Sequence, residues 1–332
     1  MTVLITGVAG FIGMHSAIKF IDSGYDVIGI DNMSDYYSVE LKHARLTNIK
    51  NHPNILAKKS EFEFINQDIN SGILDKLVSR EITVVLHLAA QAGVRYSVEN
   101  PKEYTLSNIV GFQNILEFVR AASISQFIYA SSSSVYGKRK QVPFKEIDRC
   151  DNPESFYACT KLCNELMAKA YSNVYGMNSI GLRFFTVYGP WGRPDMAPFK
   201  FVNAALNDNK IEVYNYGNQQ RDFTYIDDIV DAIYLLVTSK KQLTGAEVYN
   251  IGKGEPVGLM PFIEAIERYT EKIINKQFVR AQTGDVEITY SSIDKLQKEI
   301  HFKPCTSLDQ GISRLIPWYR DYYDLNVNHN ES

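Results

Sequence analysis

The chain is poor in cysteine and histidine and carries no excess of charge of one sign. Its 332 residues include 4 Cys, 6 His and 2 Trp, and 35 Lys and Arg nearly balance 38 Asp and Glu, for a net charge of −3. That balance removes the electrostatic reason to expect nucleic acid or an anionic membrane as partner. No apolar run reaches the roughly 20 residues that cross a bilayer. Cys150, Cys159, Cys163 and Cys305 lack the paired spacing of a metal site, and no His completes one around Cys159 and Cys163. Free thiols in a cytoplasmic protein are the expectation, with no metal. The first strand starts almost at residue 1, which leaves no room for a signal peptide. There is no internal repeat and no low-complexity stretch. What remains is the composition of a globular protein, 45% hydrophobic and 22% charged, long enough for one large or two modest domains.

The stretch Val3-Leu-Ile-Thr-Gly-Val-Ala-Gly-Phe-Ile-Gly13 organises the rest. A short apolar run reads as a buried strand. Gly7, Gly10 and Gly13 follow, and Phe11, Ile12, Ala17, Ile18 and Ile21 then recur at helical spacing. Strand, glycine turn and helix make a phosphate-binding corner. Gly7 permits the turn, Gly10 lets backbone approach a pyrophosphate and Gly13 lets helix pack on strand. The first N–H groups of that helix face the phosphates. A second apolar run ends at Asp31, 24 positions after Gly7, where an acid meets the adenosine ribose. Asn32 and Met33 follow rather than Arg or Lys, which favours NAD over NADP. An ordinary αβ corner with a chance acid is the plain alternative.

Strands and helices then alternate, which indicates a doubly wound parallel sheet. Residues 33–60 read as an insertion with a helix over 38–50. It either lies over the cofactor's adenosine end or is simply solvated. A third strand ends at Asp68, whose carboxylate suits the adenine amino group, and a helix follows over 73–80. Thr83 to Ala92 is a strand running into small residues that let a flat ligand sit close. His87 inside it reads as a core histidine. A long helix spans 103–122 and carries Asn108. The fifth strand, 126–134, ends in the serines Ser131 to Ser134. A helix covers 156–175 and a sixth strand 178–185. After Thr186 the rhythm breaks into short strands, Pro and Gly clusters and helices over 197–207, 227–239, 259–272 and 308–323. The expected division is therefore 1–186 for the cofactor, with some later segments returning to it, 187–325 for the substrate, and a frayed tail over 326–332.

Tyr157 and Lys161 lie one turn apart on one helical face. A phenol with its pKa near 10 is too weak a base at neutral pH. A nearby ammonium and an oxidised nicotinamide both favour the phenolate, and the tuned Tyr can then take a hydroxyl proton. A serine hydroxyl at the strand end can share that proton. A surface Tyr–Lys pair is the alternative.

With Gly7-x-x-Gly10-x-x-Gly13, Tyr129-Ala-Ser-Ser-Ser-Ser-Val-Tyr-Gly137, Tyr157-x-x-x-Lys161 and Arg221-Asp-Phe-Thr-Tyr-Ile-Asp-Asp228, the chain resembles the extended short-chain dehydrogenase/reductases, and among them the NAD-dependent nucleotide-sugar 4-epimerases. Asp31 to Tyr37, Ala89 to Ser97 and Arg183 to Met196 are most similar to the UDP-glucuronate 4-epimerases. The resemblance implies a Rossmann-type sheet with a smaller mixed α/β C-terminal substrate domain. It implies 4-epimerisation of UDP-glucuronate to UDP-galacturonate through a 4-keto sugar, with NAD held tightly and recycled, and a role in polysaccharide or capsule synthesis. Tyr157 is then the base, Lys161 holds the nicotinamide ribose, Ser132 meets the reacting hydroxyl, and Arg221 and Arg280 hold the pyrophosphate of UDP. The expected NAD contacts are Gly7, Gly10, Phe11, Ile12, Gly13, Asp31, Asn32, Asp68, Ile69, Leu88, Ala89, Ala90, Gln91, Asn108, Ser131, Tyr157 and Lys161. Ser133, Ser134, Thr186 and Arg193 are suited to a sugar carboxylate, with Arg95 a further pocket residue; a surface ion pair is the other reading open to Arg193. A homodimer through the 104–122 and 156–175 helices is implied as well.

A 4-keto uronic acid is a β-keto acid, so a UDP-glucuronate decarboxylase shares the same oxidation. Another UDP-hexose or UDP-N-acetylhexosamine 4-epimerase is also compatible. A 4,6-dehydratase usually carries an Asp-Glu pair where Ser133 and Ser134 stand. A non-catalytic NAD-binding regulator is opposed by the intact Ser132, Tyr157 and Lys161.

Overall fold

The computed structural model describes residues 1–239, 244–281 and 286–327. Its spine is a seven-stranded sheet. In spatial order the strands are Ala246–Ile251, Ser179–Phe184, Gln126–Ser132, Val84–His87, Thr2–Thr6, Asp26–Asp31 and Phe62–Asn66. Every pairing is parallel. Such strands are covered on both faces and so read as continuous apolar runs; Val3, Leu4 and Ile5 are fully buried. Strand order reverses beside Thr2–Thr6, where Thr6 registers with Ile30 on one side and His87 on the other. A crevice opens beyond the carboxyl ends of the strands at such a point.

The helices Phe11–Asp22 and Ile226–Thr238 cover one face through Phe20, Ile21, Ile229 and Ile233. Phe112, Ile115, Leu116 and Val119 of the helix Gly111–Ala121 cover the other, against Leu4, Val85 and Phe127. A separate core of Phe199, Val202, Phe223, Phe262, Ile263, Ile312 and Tyr319 joins the helices Ala197–Leu206, Leu259–Thr270 and Leu308–Val327. The segments that return to the large sheet after Thr186 are the helix Ile226–Thr238 and the strand Ala246–Ile251.

The helix Phe156–Tyr175 begins and ends where its caps dictate. Ser155 accepts the Ala158 N–H at 3.0 Å, and Gly176 stops the helix at φ +68°. The single helix expected over 103–122 is instead a short turn, Pro101–Tyr104, a π-helical segment, Thr105–Val110, and the α-helix Gly111–Ala121. Asn108 sits buried in the π-segment, and its side chain works on neighbouring backbone. A mid-helix widening of this kind often marks a functional site. The helix expected over 73–80 is one 3₁₀ segment, Ile73–Leu77, and the strand expected over 83–92 stops pairing at His87. The last helix runs to Val327, past the point where a frayed tail was expected; residues 328–332 lie outside the described ones. Among the described residues no helix is long and apolar enough to cross a membrane.

Candidate active site

A cavity of about 720 Å³ occupies the crevice. One end is the glycine turn. Gly7 has φ +74°, and a Cβ there would lie 2.7 Å from the Ala89 nitrogen. A Cβ on Gly13 would lie 2.1 Å from the Gly7 carbonyl oxygen, and one on Gly10 would lie 2.9 Å from it. Glycine is therefore needed at all three for the turn to fold back on itself and onto the fourth strand. The helix that follows starts at Gly10 with no side-chain cap and no acid in its first turn. Its first N–H groups are left for an anion. Phe11, Ile12, Asp31, Asn32, Asp68, Ile69, Leu88, Ala89, Ala90 and Gln91 line the same end. Asp31 is buried and accepts the N–H groups of Ala9 at 3.0 Å and Met33 at 2.9 Å. Burial pushes its carboxyl up, and Lys42 is the chief opposing charge. Asn32 donates to Asp68 at 2.8 Å. An uncapped helix start beside a fixed carboxylate fits a dinucleotide, with the diphosphate on the turn and the ribose on Asp31.

Ser132, Tyr157 and Lys161 line the same cavity. Ser132 Oγ accepts the Ser134 N–H at 3.1 Å. Lys161 is buried and donates to the Ala130 carbonyl at 2.9 Å. Burial holds its ammonium down to about 8. The sequence leads one to expect Lys161 to lower the Tyr157 pKa. In the protein alone, burial raises it, and Ser132 and Arg193 are the groups that pull it back. The ammonium is turned onto the strand backbone instead. Ser131 lines the cavity, but its hydroxyl points to Glu165 at 2.5 Å, and Glu165 is paired with Arg183. Asn108 does not line the cavity; it braces Gln91 by accepting its N–H at 2.8 Å and donating to its carbonyl at 2.9 Å. His87 is buried against Phe112 and shares a 2.7 Å hydrogen bond with Thr6. Burial brings it down to about 3, so it is neutral in the core.

Ser133, Ser134, Thr186 and Arg193 line the cavity as well. Both readings of Arg193 meet there, because it faces the cavity and is also ion-paired with Asp195. Arg95, Arg221 and Arg280 lie outside the cavity lining among the described residues. Arg95 sits over the Tyr214 ring at 5.1 Å, Arg221 donates to the Gln220 and Glu287 carbonyls, and Arg280 is exposed. Tyr36, Lys42, Asp195, Glu165 and Arg45 were not singled out from the sequence. Tyr36 and Asp195 fall in two of the three segments that carry the resemblance; the others gave no local signal.

The NAD dependent epimerase/dehydratase family matches residues 3–252. Protein CapI of Staphylococcus aureus is 51% identical over 338 residues, covering 97% of this chain and 99% of that one. UDP-glucuronate 4-epimerase 4 of Arabidopsis thaliana is 41% identical over 342 residues, covering 97% of this chain and 76% of that one. The crystal structure of UDP-glucuronic acid 4-epimerase from Bacillus cereus, in complex with UDP-glucuronic acid and NAD, superposes with a TM-score of 0.89 at 33% identity, covering 97% of this chain and 100% of that one.

Proposed function

Because the chain belongs to the NAD dependent epimerase/dehydratase family, we propose that it is an NAD-dependent 4-epimerase interconverting UDP-glucuronate and UDP-galacturonate. The observation that carries this is one cavity whose wall brings together the glycine turn with Asp31, the set Ser132, Tyr157 and Lys161, and the donors Ser133, Ser134, Thr186 and Arg193. When bound, NAD supplies the acceptor and later the donor of the hydride at C4 of the sugar, so that none is consumed overall. Tyr157 Oη takes the proton of the 4-hydroxyl, and Ser132 Oγ, which lines the same cavity, orients that hydroxyl. Lys161 Nζ, which rests on the Ala130 carbonyl, would hold the nicotinamide ribose. The 4-keto sugar turns in the cleft so that the other face of C4 is presented for the returning hydride, and Tyr157 returns the proton to the 4-oxygen. The hydroxyls of Ser133, Ser134 and Thr186, with Arg193, hold the C5 carboxylate. Arg221 and Arg280 close on the UDP pyrophosphate from outside the present lining.

In this reading residues 1–186, with the returning segments 226–238 and 246–251, hold NAD, and the rest of 187–325 holds the nucleotide sugar. The four thiols are unpaired, which suits the cytoplasm. The exposed apolar side chains Phe156, Leu166 and Val174 lie on the helix Phe156–Tyr175, one of the two expected to form a homodimer. Sedimentation of Leu166→Asp beside the parent tests that: the variant should be monomeric, and an unchanged mass would remove this face from assembly. Function is tested by a proton NMR time course with UDP-glucuronate, with and without added NAD. UDP-galacturonate should grow to a fixed ratio without net NADH. UDP-xylose or a 4-keto pentose would make the protein a decarboxylase instead.

A further inference from the structure

Arg193 is already matched by a carboxylate of the chain. Its Nε and Nη2 donate to the two oxygens of Asp195 at 3.0 and 2.5 Å. Both side chains are largely buried, 20% and 25% exposed, and Arg193 lines the cavity. Tyr36 reaches the pair from the segment after the second strand. It donates its hydroxyl to Asp195 Oδ2 at 3.3 Å, and its ring lies 5.8 Å from the guanidinium. Tyr36 is itself seated, with the Tyr96 ring 4.9 Å away. A Cβ on Gly93 would come within 2.6 Å of its hydroxyl.

We propose that Asp195 is a specificity-determining residue: an internal carboxylate that occupies Arg193 as a sugar carboxylate would, so that an acidic nucleotide sugar must compete with it for the guanidinium. The inference rests on the substrate reading above. One edge of a guanidinium fork serves one carboxylate at a time, and Asp195 holds the Nε–Nη2 edge. An arriving uronate meets a like charge there and must displace it or take what donors remain. A neutral hexose meets a wall whose charge is already balanced, with no buried cation left unpaired. Asp195 therefore narrows the gap in affinity between acidic and neutral nucleotide sugars. It also gives Arg193 a partner to return to while the keto sugar turns over.

The test is calorimetric titration of the NAD-loaded protein with UDP-glucuronate, UDP-glucose and UMP, for the parent, Asp195→Asn and Tyr36→Phe. Asn keeps an acceptor for Nε and removes the charge. The ratio of the UDP-glucose Kd to the UDP-glucuronate Kd should rise about tenfold in Asp195→Asn, the size of one charge-assisted hydrogen bond. It should rise less, in the same direction, in Tyr36→Phe, and the UMP Kd should not move. A merely structural pair would weaken all three ligands together. An unchanged or smaller ratio with UMP binding intact overturns the proposal. Turnover of the parent is measured separately: a parent that binds both sugars but converts neither sinks the epimerase reading while the Kd ratio still decides this one.

Discussion

Arg45 donates through Nη2 to the Trp191 carbonyl at 2.6 Å. The same guanidinium donates to the carbonyls of Gly192 and Ala9 and to the Tyr37 hydroxyl. It is fully buried, on the helix Val39–Lys50. Trp191 adopts φ +63°, a left-handed conformation that costs a non-glycine residue about 1 kcal/mol or more. The helix from the insertion thus ties the glycine turn to the loop that carries Arg193. It is neither solvated nor only a cover for adenosine, since Leu41, Lys42, Leu46 and Ile49 are buried with Arg45.

Arg45→Met should therefore weaken both ends of the cavity together. It removes several donors and leaves the Trp191, Gly192 and Ala9 carbonyls unmatched, for a stability loss of about 2–4 kcal/mol. Thermal unfolding gives the loss. Titration with NAD and with UDP-glucuronate should show both weakened; a variant weakened toward one alone would break the proposed tie.

Tyr157→Phe removes the proton acceptor and little else. The ring keeps its edge contact with Tyr104 at 6.1 Å. Turnover should fall by about 10²–10⁴ or more, the usual scale of a positioned acid–base group. NAD affinity should stay close to that of the parent. Epimerisation rates paired with NAD titration check both, and retained turnover would exclude the phenol from the mechanism.

What could be read from the sequence was what local pattern encodes. Gly7, Gly10, Gly13 and Asp31 announce themselves because a turn and a strand end each demand particular residues within a short stretch. Tyr157 and Lys161 are legible because a helix places i and i+4 on one face. The π-segment was not legible: Thr105 to Val110 has ordinary helical composition, and its widening follows from burying Asn108 against Gln91 and Thr160. The part expected of Lys161 in lowering the Tyr157 pKa was not legible for a related reason. Spacing put Lys161 near the phenol, but only tertiary structure could show its ammonium held by Ala130. Asp195 lies two residues from Arg193, yet nothing local says that the two side chains close on each other.

His87 makes acid destabilising. Its folded pKa, about 3, lies below the ordinary value of 6.5. The unfolded chain therefore binds the extra proton between those values. Stability from a neutral His87 is complete above pH 6.5 and is lost as pH falls toward 3, at about 1.4 kcal/mol per pH unit within the window. Denaturant unfolding of the parent and of His87→Asn, from pH 7 to 4, should show a shallower slope in the variant by about that amount. Equal slopes would mean that His87 is not the group taking up the proton.

Glu165 joins the strand Gln126–Ser132 to the helix Phe156–Tyr175. Its Oε1 accepts from Ser131 Oγ at 2.5 Å and from Arg183 Nε at 2.9 Å, and its Oε2 accepts from Arg183 Nη2 at 2.7 Å. The pair is 5% and 9% exposed, and Ser131 precedes Ser132 in the chain. Removing Glu165 alone leaves a buried cation without its partner, which costs about 3–5 kcal/mol. Replacing both charges by Leu removes that penalty, and such a double replacement is often neutral in stability. Ser131 would still have lost the group that fixes it. Glu165→Leu should therefore be strongly destabilised, and Glu165→Leu with Arg183→Leu should recover much of the stability but not the turnover. Thermal unfolding and epimerisation rates of the two singles and the double give the cycle. If turnover returned together with stability, the pair would be a structural prop only; if it stayed low in a well-folded double variant, Glu165 positions Ser132 through Ser131.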